Sequence, residues 1–211
     1  MASPPAARIR PRRTGPGCGT ATGEAQFSKL ADVQVSDFQT GLAATIDAVC
    51  YLLNALGGRL GLAHGRVLNG RAAFAVMSRF LPHHGGTFPD AMTRDRLFHW
   101  YVHSFLWGRH TQAIETALNQ DLQALDDGVD GLIDVLRRNR RGQLEVRPDD
   151  FIGSSMGSRF YPLLYMLTRV YGAQDFGSGV PLRDGLLGRL SSLQVHHIFP
   201  KARLRTTGNC G

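Results

Sequence analysis

The chain has 211 residues, of which 43% are hydrophobic, and it carries a formal net charge of +7. This length predicts one domain of ordinary size, and the apolar content excludes a wholly disordered chain. The positive charge favours polyanionic partners. Only two of the 24 basic residues are lysines, which leaves 22 arginines. The planar guanidinium suits bidentate contact with phosphate, although an arginine-rich source genome would explain the same excess.

The cysteines indicate a reducing setting. Cys18, Cys50 and Cys210 are odd in number and form no CxxC pair, so neither a disulfide framework nor a cysteine zinc site is predicted. No apolar run is expected to span a membrane, and a cytoplasmic location is predicted. Residues 1–29 are rich in proline, glycine and arginine and are predicted to form a disordered basic leader. Such a segment also fits a transit peptide or a basic arm.

The first predicted helix begins with the form of a capping box, in which Ser36 is followed three residues later by Gln39. Gly57 and Gly58 are predicted to end this helix. Between these points the following residues recur at helical spacing: Phe38, Leu42, Thr45, Val49, Leu52 and Leu56.

Four more helices follow in the middle of the chain. They are predicted over residues 71–81, from Thr93 towards Trp107, after Arg109, and over residues 132–136. The helix from Thr93 carries too many aromatic side chains for a solvated face, so it is expected to be central to the core. These side chains are Phe98, Trp100, Tyr101 and Phe105.

The last third of the chain mixes short elements. Residues 143–146 are predicted as a short strand, Asp149 or Asp150 as the cap of a turn, and Ser158 as the start of the last clear helix. Residues 193–195 form a second predicted strand. The fold class is therefore predicted to be mainly α, a helical bundle-like domain over residues 30–185 with a small C-terminal β element.

Two adjacent histidines, His196 and His197, follow the second predicted strand. Neighbouring residues on an extended segment point to opposite sides. One imidazole can then bind a cation while the other faces a scissile phosphate. Because phosphodiester hydrolysis needs a metal and a base, and histidine titrates near neutrality, the pair predicts a site for this chemistry.

Other histidines fit plainer roles. His83 and His84 lie between a proline and two glycines, which is typical of a surface turn. His99 and His103 stand four residues apart, a spacing at which two imidazoles can share a metal. Their helix lacks the glutamate of a zinc peptidase, so a polar rim beside the core is favoured.

The basic residues nearest to a predicted helix end form an arginine cluster, defined as Arg137, Arg138, Arg140 and Arg141. With Lys201 they are the candidate nucleic-acid ligands, since each phosphate contact adds a salt-dependent contribution to affinity. A solvated helix end has the same composition, because cations favour helix C-termini. Both interpretations stay open. For Arg109 and Asp121 a structural pairing is predicted.

A longer resemblance gives these patterns a family context. Residues 100–109, 115–122, 158–167 and 172–175, followed by residues 196–202, resemble the corresponding segments of GmrSD-type restriction endonucleases in the same order. The resemblance runs over residues 35–204. It implies that residues 186–211 are the first part of a C-terminal HNH (ββα-metal) nuclease motif. By position, His196 would be the metal ligand and His197 the general base.

The resemblance also implies partners and cofactors. Family members cleave foreign DNA with a nucleotide and a divalent metal, here Mg²⁺, Mn²⁺ or Zn²⁺. The resemblance covers neither the nucleotide-binding module nor the second half of the HNH motif. A nucleotide-binding partner module or chain is therefore expected, and the half-site is predicted to be inactive alone. The chain is thus predicted to be a fragment or subunit of such an endonuclease. The alternative is a non-catalytic helical module that binds DNA or a partner.

Overall fold

The computed structural model of the protein describes residues 33–62, 65, 67–155 and 157–182. This part is mainly helical, as the sequence predicts. Its α-helices are α1 (Val35–Leu60), α2 (Ala73–Phe80), α3 (Ala91–Leu106), α4 (Ile114–Ala124), α5 (Gly128–Asn139) and α6 (Tyr161–Val170). Short 3₁₀ helices lie at Leu81–His84, Leu125–Asp127 and Pro148–Phe151.

Both predicted ends of α1 are wrong. The helix begins after Gln34, which makes no side-chain cap, so Ser36 lies inside the helix and forms no capping box. The helix also continues through Gly57 and Gly58 to end at Leu60, and Gly61, whose φ is 68°, is its C-cap. A glycine inside a helix costs only about 1 kcal/mol. Leu60, which follows these glycines, packs partly buried against the core and offsets part of this cost.

The sequence analysis expected no apolar run that could span a membrane, but α1 contains a stretch of sufficient length and hydropathy. Among the described helices it is the one that is long and apolar enough to cross a membrane, with a mean hydropathy of 1.3 over 18 residues. A core helix of a soluble protein and an N-terminal signal sequence satisfy the same criteria, and 22% of this apolar window is buried. Leu52 and Leu56 of α1 are fully buried in the core of this chain.

The helix α3 supplies the aromatic centre of the core, as predicted. Phe98, Trp100, Tyr101 and Phe105 are all buried. The helix starts at Ala91 rather than at Thr93, because the carboxylate of Asp90 caps it by accepting a hydrogen bond from the backbone N–H of Thr93 at 2.7 Å. This cap satisfies a backbone donor that the first turn leaves unpaired.

The chain after α5 departs from the predicted strand. Residues 143–147 are irregular, and the described part contains only an isolated antiparallel bridge between Gln174 and Pro181. Asp150 caps its turn as predicted, accepting from the backbone N–H of Arg147 at 2.7 Å. The helix predicted from Ser158 begins at Tyr161. The strand predicted over residues 193–195 lies outside the described residues.

The contact between α4 and α5 depends on a glycine. A Cβ at Gly131 would clash with the backbone carbonyl oxygen of Ala124 and would crowd the side chain of Asp127. The two helices cannot move apart without opening the core, because Leu132 and Leu136 of α5 are buried in it. The missing side chain therefore sets the distance between the two helices.

We expect Gly131→Ala to lower the free energy of unfolding by about 2 kcal/mol, as overpacked sites commonly do. Gly58→Ala is the matched control, since Gly58 is also helical but has no atom near its missing Cβ. That control should leave stability unchanged or raise it by up to about 1 kcal/mol. Urea unfolding followed by circular dichroism measures both. Equal effects of the two substitutions on stability would contradict the close approach of α4 and α5 at Gly131.

Candidate nucleic-acid interface

The arginine cluster lies at the C-terminal end of α5. The helix closes with a Schellman motif, in which the backbone N–H of Gly142 donates to the carbonyl of Arg137 at 2.9 Å and that of Arg141 donates to the carbonyl of Arg138. Arg141 occupies the left-handed position of this motif with a φ of 51°. Glycine is the usual residue there, because a Cβ makes this conformation unfavourable by about 1 kcal/mol.

Few carboxylates neutralise this cluster. Among the described residues, only Asp134 lies within ion-pair distance, 3.7 Å from Arg137, and both side chains are more than half exposed. Such an exposed pair contributes little. Arg138 and Arg141 are also exposed. The end of α5 therefore presents several cations to solvent, where the helix dipole also favours positive charge.

Arg140 differs from the rest of the cluster because it packs on an aromatic ring. Its guanidinium carbon lies 4.1 Å from the centroid of Trp107, which follows the last residue of α3. This is cation–π geometry. Arg140 is half-buried, and its Nε makes no hydrogen bond within the described part of the chain. The indole thus positions one cation of the cluster.

Trp107 belongs to a row of aromatic rings that we call the aromatic ladder, made of His99, His103, Trp107, Phe160 and Phe151. Successive ring centroids are 4.3, 6.5, 5.7 and 5.4 Å apart. The first three lie on or just after α3 at a spacing of four residues, so they share one face of the helix. Each ladder residue keeps part of its surface exposed.

The histidines of the ladder are neutral at physiological pH. Burial is the larger cause that lowers the pKa of His103 to about 4, and the charge of the neighbouring His99 is the smaller one. Burial is also the largest cause that lowers the pKa of His99, and the positive charges of Arg137 and Arg96 lower it further. The neutral His103 uses its Nδ1 to accept a hydrogen bond from Trp107 Nε1 at 3.1 Å.

The contacts of His103 limit how this pair could share a metal. The Nδ1 of His103 is already engaged, and within the described residues no group of three or more His, Cys, Asp or Glu side chains could hold a metal ion. The polar rim favoured by the sequence is the better description of His99 and His103. His83 and His84 are exposed in the 3₁₀ helix Leu81–His84, which agrees with their predicted surface position.

A buried charge cluster forms around Asp121 of α4. The carboxylate of Asp121 is fully buried and accepts from Arg109 Nη2 at 3.0 Å, which confirms the pairing predicted for these residues. Its second oxygen lies 2.8 Å from Nε2 of His110, a partner that the sequence analysis missed. Nothing in the spacing identifies His110, because its role arises only when the α3–α4 connection folds over α4.

An acidic groove adjoins the basic end of α5. It encloses about 890 Å³ between α4 and α5, and Asp127, Asp130 and Asp134 line it together with Arg137 and Arg138. Carboxylates on the groove wall repel a polyanion. Arg137 and Arg138 lie at the boundary between this groove and the end of α5.

The other predicted site residues cannot be compared with this geometry. His196, His197 and Lys201 lie outside the described residues, so their predicted roles stay predictions. Comparisons of the chain with protein-family models, with curated proteins and with solved structures gave no match.

We expect Asp121→Asn to lower the free energy of unfolding by about 3 kcal/mol, since it leaves Arg109 buried without a full counter-charge. Asp95→Asn is the control. Asp95 also pairs with two arginines, but it is 39% exposed, so its loss should cost no more than about 1 kcal/mol. Chemical denaturation at pH 7 compares the two. A small effect at Asp121 would show that its carboxylate is not needed as a charge.

Proposed function

We propose that this chain is part of an HNH-type DNA endonuclease, in which the helical region holds the phosphate backbone of the DNA and His196 and His197 take part in hydrolysis. The resemblance to GmrSD-type restriction endonucleases supports the histidine roles. The observation that carries the DNA part is the arginine cluster. Its cations lie at one helix end, largely without carboxylate partners, and one of them is held in place by Trp107.

The proposed chemistry is hydrolysis of a phosphodiester. His197 accepts a proton from water, the resulting hydroxide attacks phosphorus, and one phosphorus–oxygen bond breaks with protonation of the leaving oxygen. His196 would hold a divalent metal, Mg²⁺, Mn²⁺ or Zn²⁺, which neutralises phosphate charge when bound. A single imidazole binds such a cation weakly. Further ligands would come from a partner module or chain.

The alternative function is a non-catalytic module that binds DNA or a partner through its arginines. One observation favours it: the arginine cluster and Trp107 lie together at one end of α5, in the described part of the chain, and neither needs the two histidines. Under this alternative, the chain retains DNA in a salt-sensitive manner without cleaving it. Both functions share the same phosphate-binding surface.

Because the half-site is predicted to be inactive alone, the catalytic assignment predicts at most slow nicking of supercoiled plasmid in the presence of Mg²⁺ or Mn²⁺, and any such nicking should depend on His197. His197→Ala should reduce the nicking rate by about 100-fold or more, because a general base contributes at least that factor. His84→Ala, at an exposed histidine outside the predicted site, is the control and should nick as the wild type does. Nicking retained in His197→Ala would remove the assignment. Salt-sensitive DNA retention without any nicking would favour the non-catalytic module.

The phosphate-binding surface predicts opposite effects on stability and affinity at one residue. Arg141→Gly should raise the free energy of unfolding by about 0.5–1 kcal/mol, because glycine tolerates the left-handed conformation. The same change should weaken duplex binding several-fold and reduce the slope of log affinity against log salt by about 0.9, the value for one phosphate contact.

Arg71→Gln is the control for this experiment, since Arg71 is an exposed arginine outside the cluster. It removes one charge without removing a proposed phosphate ligand. Fluorescence anisotropy over a series of salt concentrations gives the slopes, and thermal unfolding gives the stabilities. If both variants lose the same small amount of affinity, the effect is one of net charge and the cluster is not the binding surface.

A further inference from the structure

The aromatic ladder is more extensive than the core requires. The core already contains the large buried rings of Trp100, Tyr101 and Phe98. Trp107 and Phe160 pack against this core from its edge. The ladder rings all keep part of their surface exposed and form a continuous row from α3 to the 3₁₀ helix Pro148–Phe151. A row of partly exposed aromatic side chains is the usual means by which proteins bind unpaired bases.

Arginines accompany this row along its length. Arg140 covers the indole of Trp107, and Arg137 is close enough to His99 to lower its pKa. Arg159 is exposed and places its guanidinium against Gly108, where a Cβ would clash with it. Cations beside stacked rings are what a single strand needs, because its phosphates follow the bases at short intervals.

We propose that the aromatic ladder and the arginine cluster together form a binding track for single-stranded DNA. This inference rests on the proposed function for the phosphate contacts and adds the form of the substrate. Every base has a π-face, so stacking would be tolerant of sequence, and each stacked base strengthens binding roughly five- to hundredfold. The guanidinium of Arg140 offers a further planar surface for a base.

The track favours single strands over duplex because only a single strand has base faces that are free to stack. In a duplex the bases are stacked on one another and only their edges and the phosphates are accessible. The arginine cluster would contact such phosphates, but the ladder would have no ligand. An unpaired strand presents both, and the neutral His99 and His103 accept bases without adding charge.

Tryptophan fluorescence tests the track directly. The protein has two tryptophans, of which Trp100 is fully buried and Trp107 is in the ladder. A 12-residue oligo(dT) should therefore quench only part of the emission. At equal salt it should also bind at least about tenfold more tightly than a 12-base-pair duplex of mixed sequence.

Substitution of single rings gives the second measurement. Phe160→Leu and Phe151→Leu keep an apolar side chain but remove stacking, and each should weaken oligo(dT) binding about tenfold while leaving duplex binding unchanged. Phe88→Leu is the matched control, since Phe88 is also half-buried but packs on Tyr51 and Phe98, outside the ladder. Circular dichroism verifies that each variant is folded.

The outcomes separate this inference from the proposed function. Equal affinity for both DNA forms without quenching would overturn the track and leave phosphate binding intact. Equal losses in all three phenylalanine variants would also overturn the track. Absence of salt-sensitive binding to either form of DNA would contradict the proposed function itself. The track would be supported if oligo(dT) binds more tightly than the duplex and quenches tryptophan emission, and if the two ladder variants lose this binding.

Discussion

The helix α3 determines where both the core and the candidate interface lie, because it carries aromatic side chains on two faces. Trp100, Tyr101 and Phe105 face inward and are excluded from water, and burying such rings supplies much of the driving force for folding. His99 and His103 lie on the other face and continue the row into Trp107. One helix thus couples the stability of the fold to the position of the ladder. A substitution on the inner face would displace the outer face with it.

The buried charge of Asp121 orders the turn that follows this helix. Arg109 reaches the carboxylate from the α3–α4 connection and also donates to Gln120 Oε1 at 2.9 Å. Charges removed from water are tolerated only when they are paired and hydrogen-bonded. The planar guanidinium meets this need by donating from more than one nitrogen. Because α4 in turn packs on α5, the same carboxylate helps to position the helix that carries the arginine cluster.

Periodicity was enough to predict the helical class and the aromatic core helix, and the position of Arg109 just before the helix that contains Asp121 indicated their pairing. The end of α1 was predicted wrongly, since local glycine signals were outweighed by packing that depends on the rest of the fold. Its start was predicted wrongly because Ser36, which has the form of a cap, lies inside the helix. The strand predicted over residues 143–146 failed for a related reason, since alternation of apolar residues does not supply a partner strand. The ladder was not predicted, because Phe151 and Phe160 reach Trp107 only through tertiary packing.

Charge and stacking would act over different distances at this surface. The arginine cluster attracts a polyanion over about one Debye length, roughly 8 Å at physiological salt, and this attraction weakens as salt is added. The ladder acts only on contact and carries no charge at pH 7, because burial holds the pKa of His103 at about 4. The carboxylates of the neighbouring groove, among them Asp127 and Asp130, oppose binding on their side of α5. Arginines would therefore bring a strand to one helix end, and the rings would then select strands whose bases are free to stack.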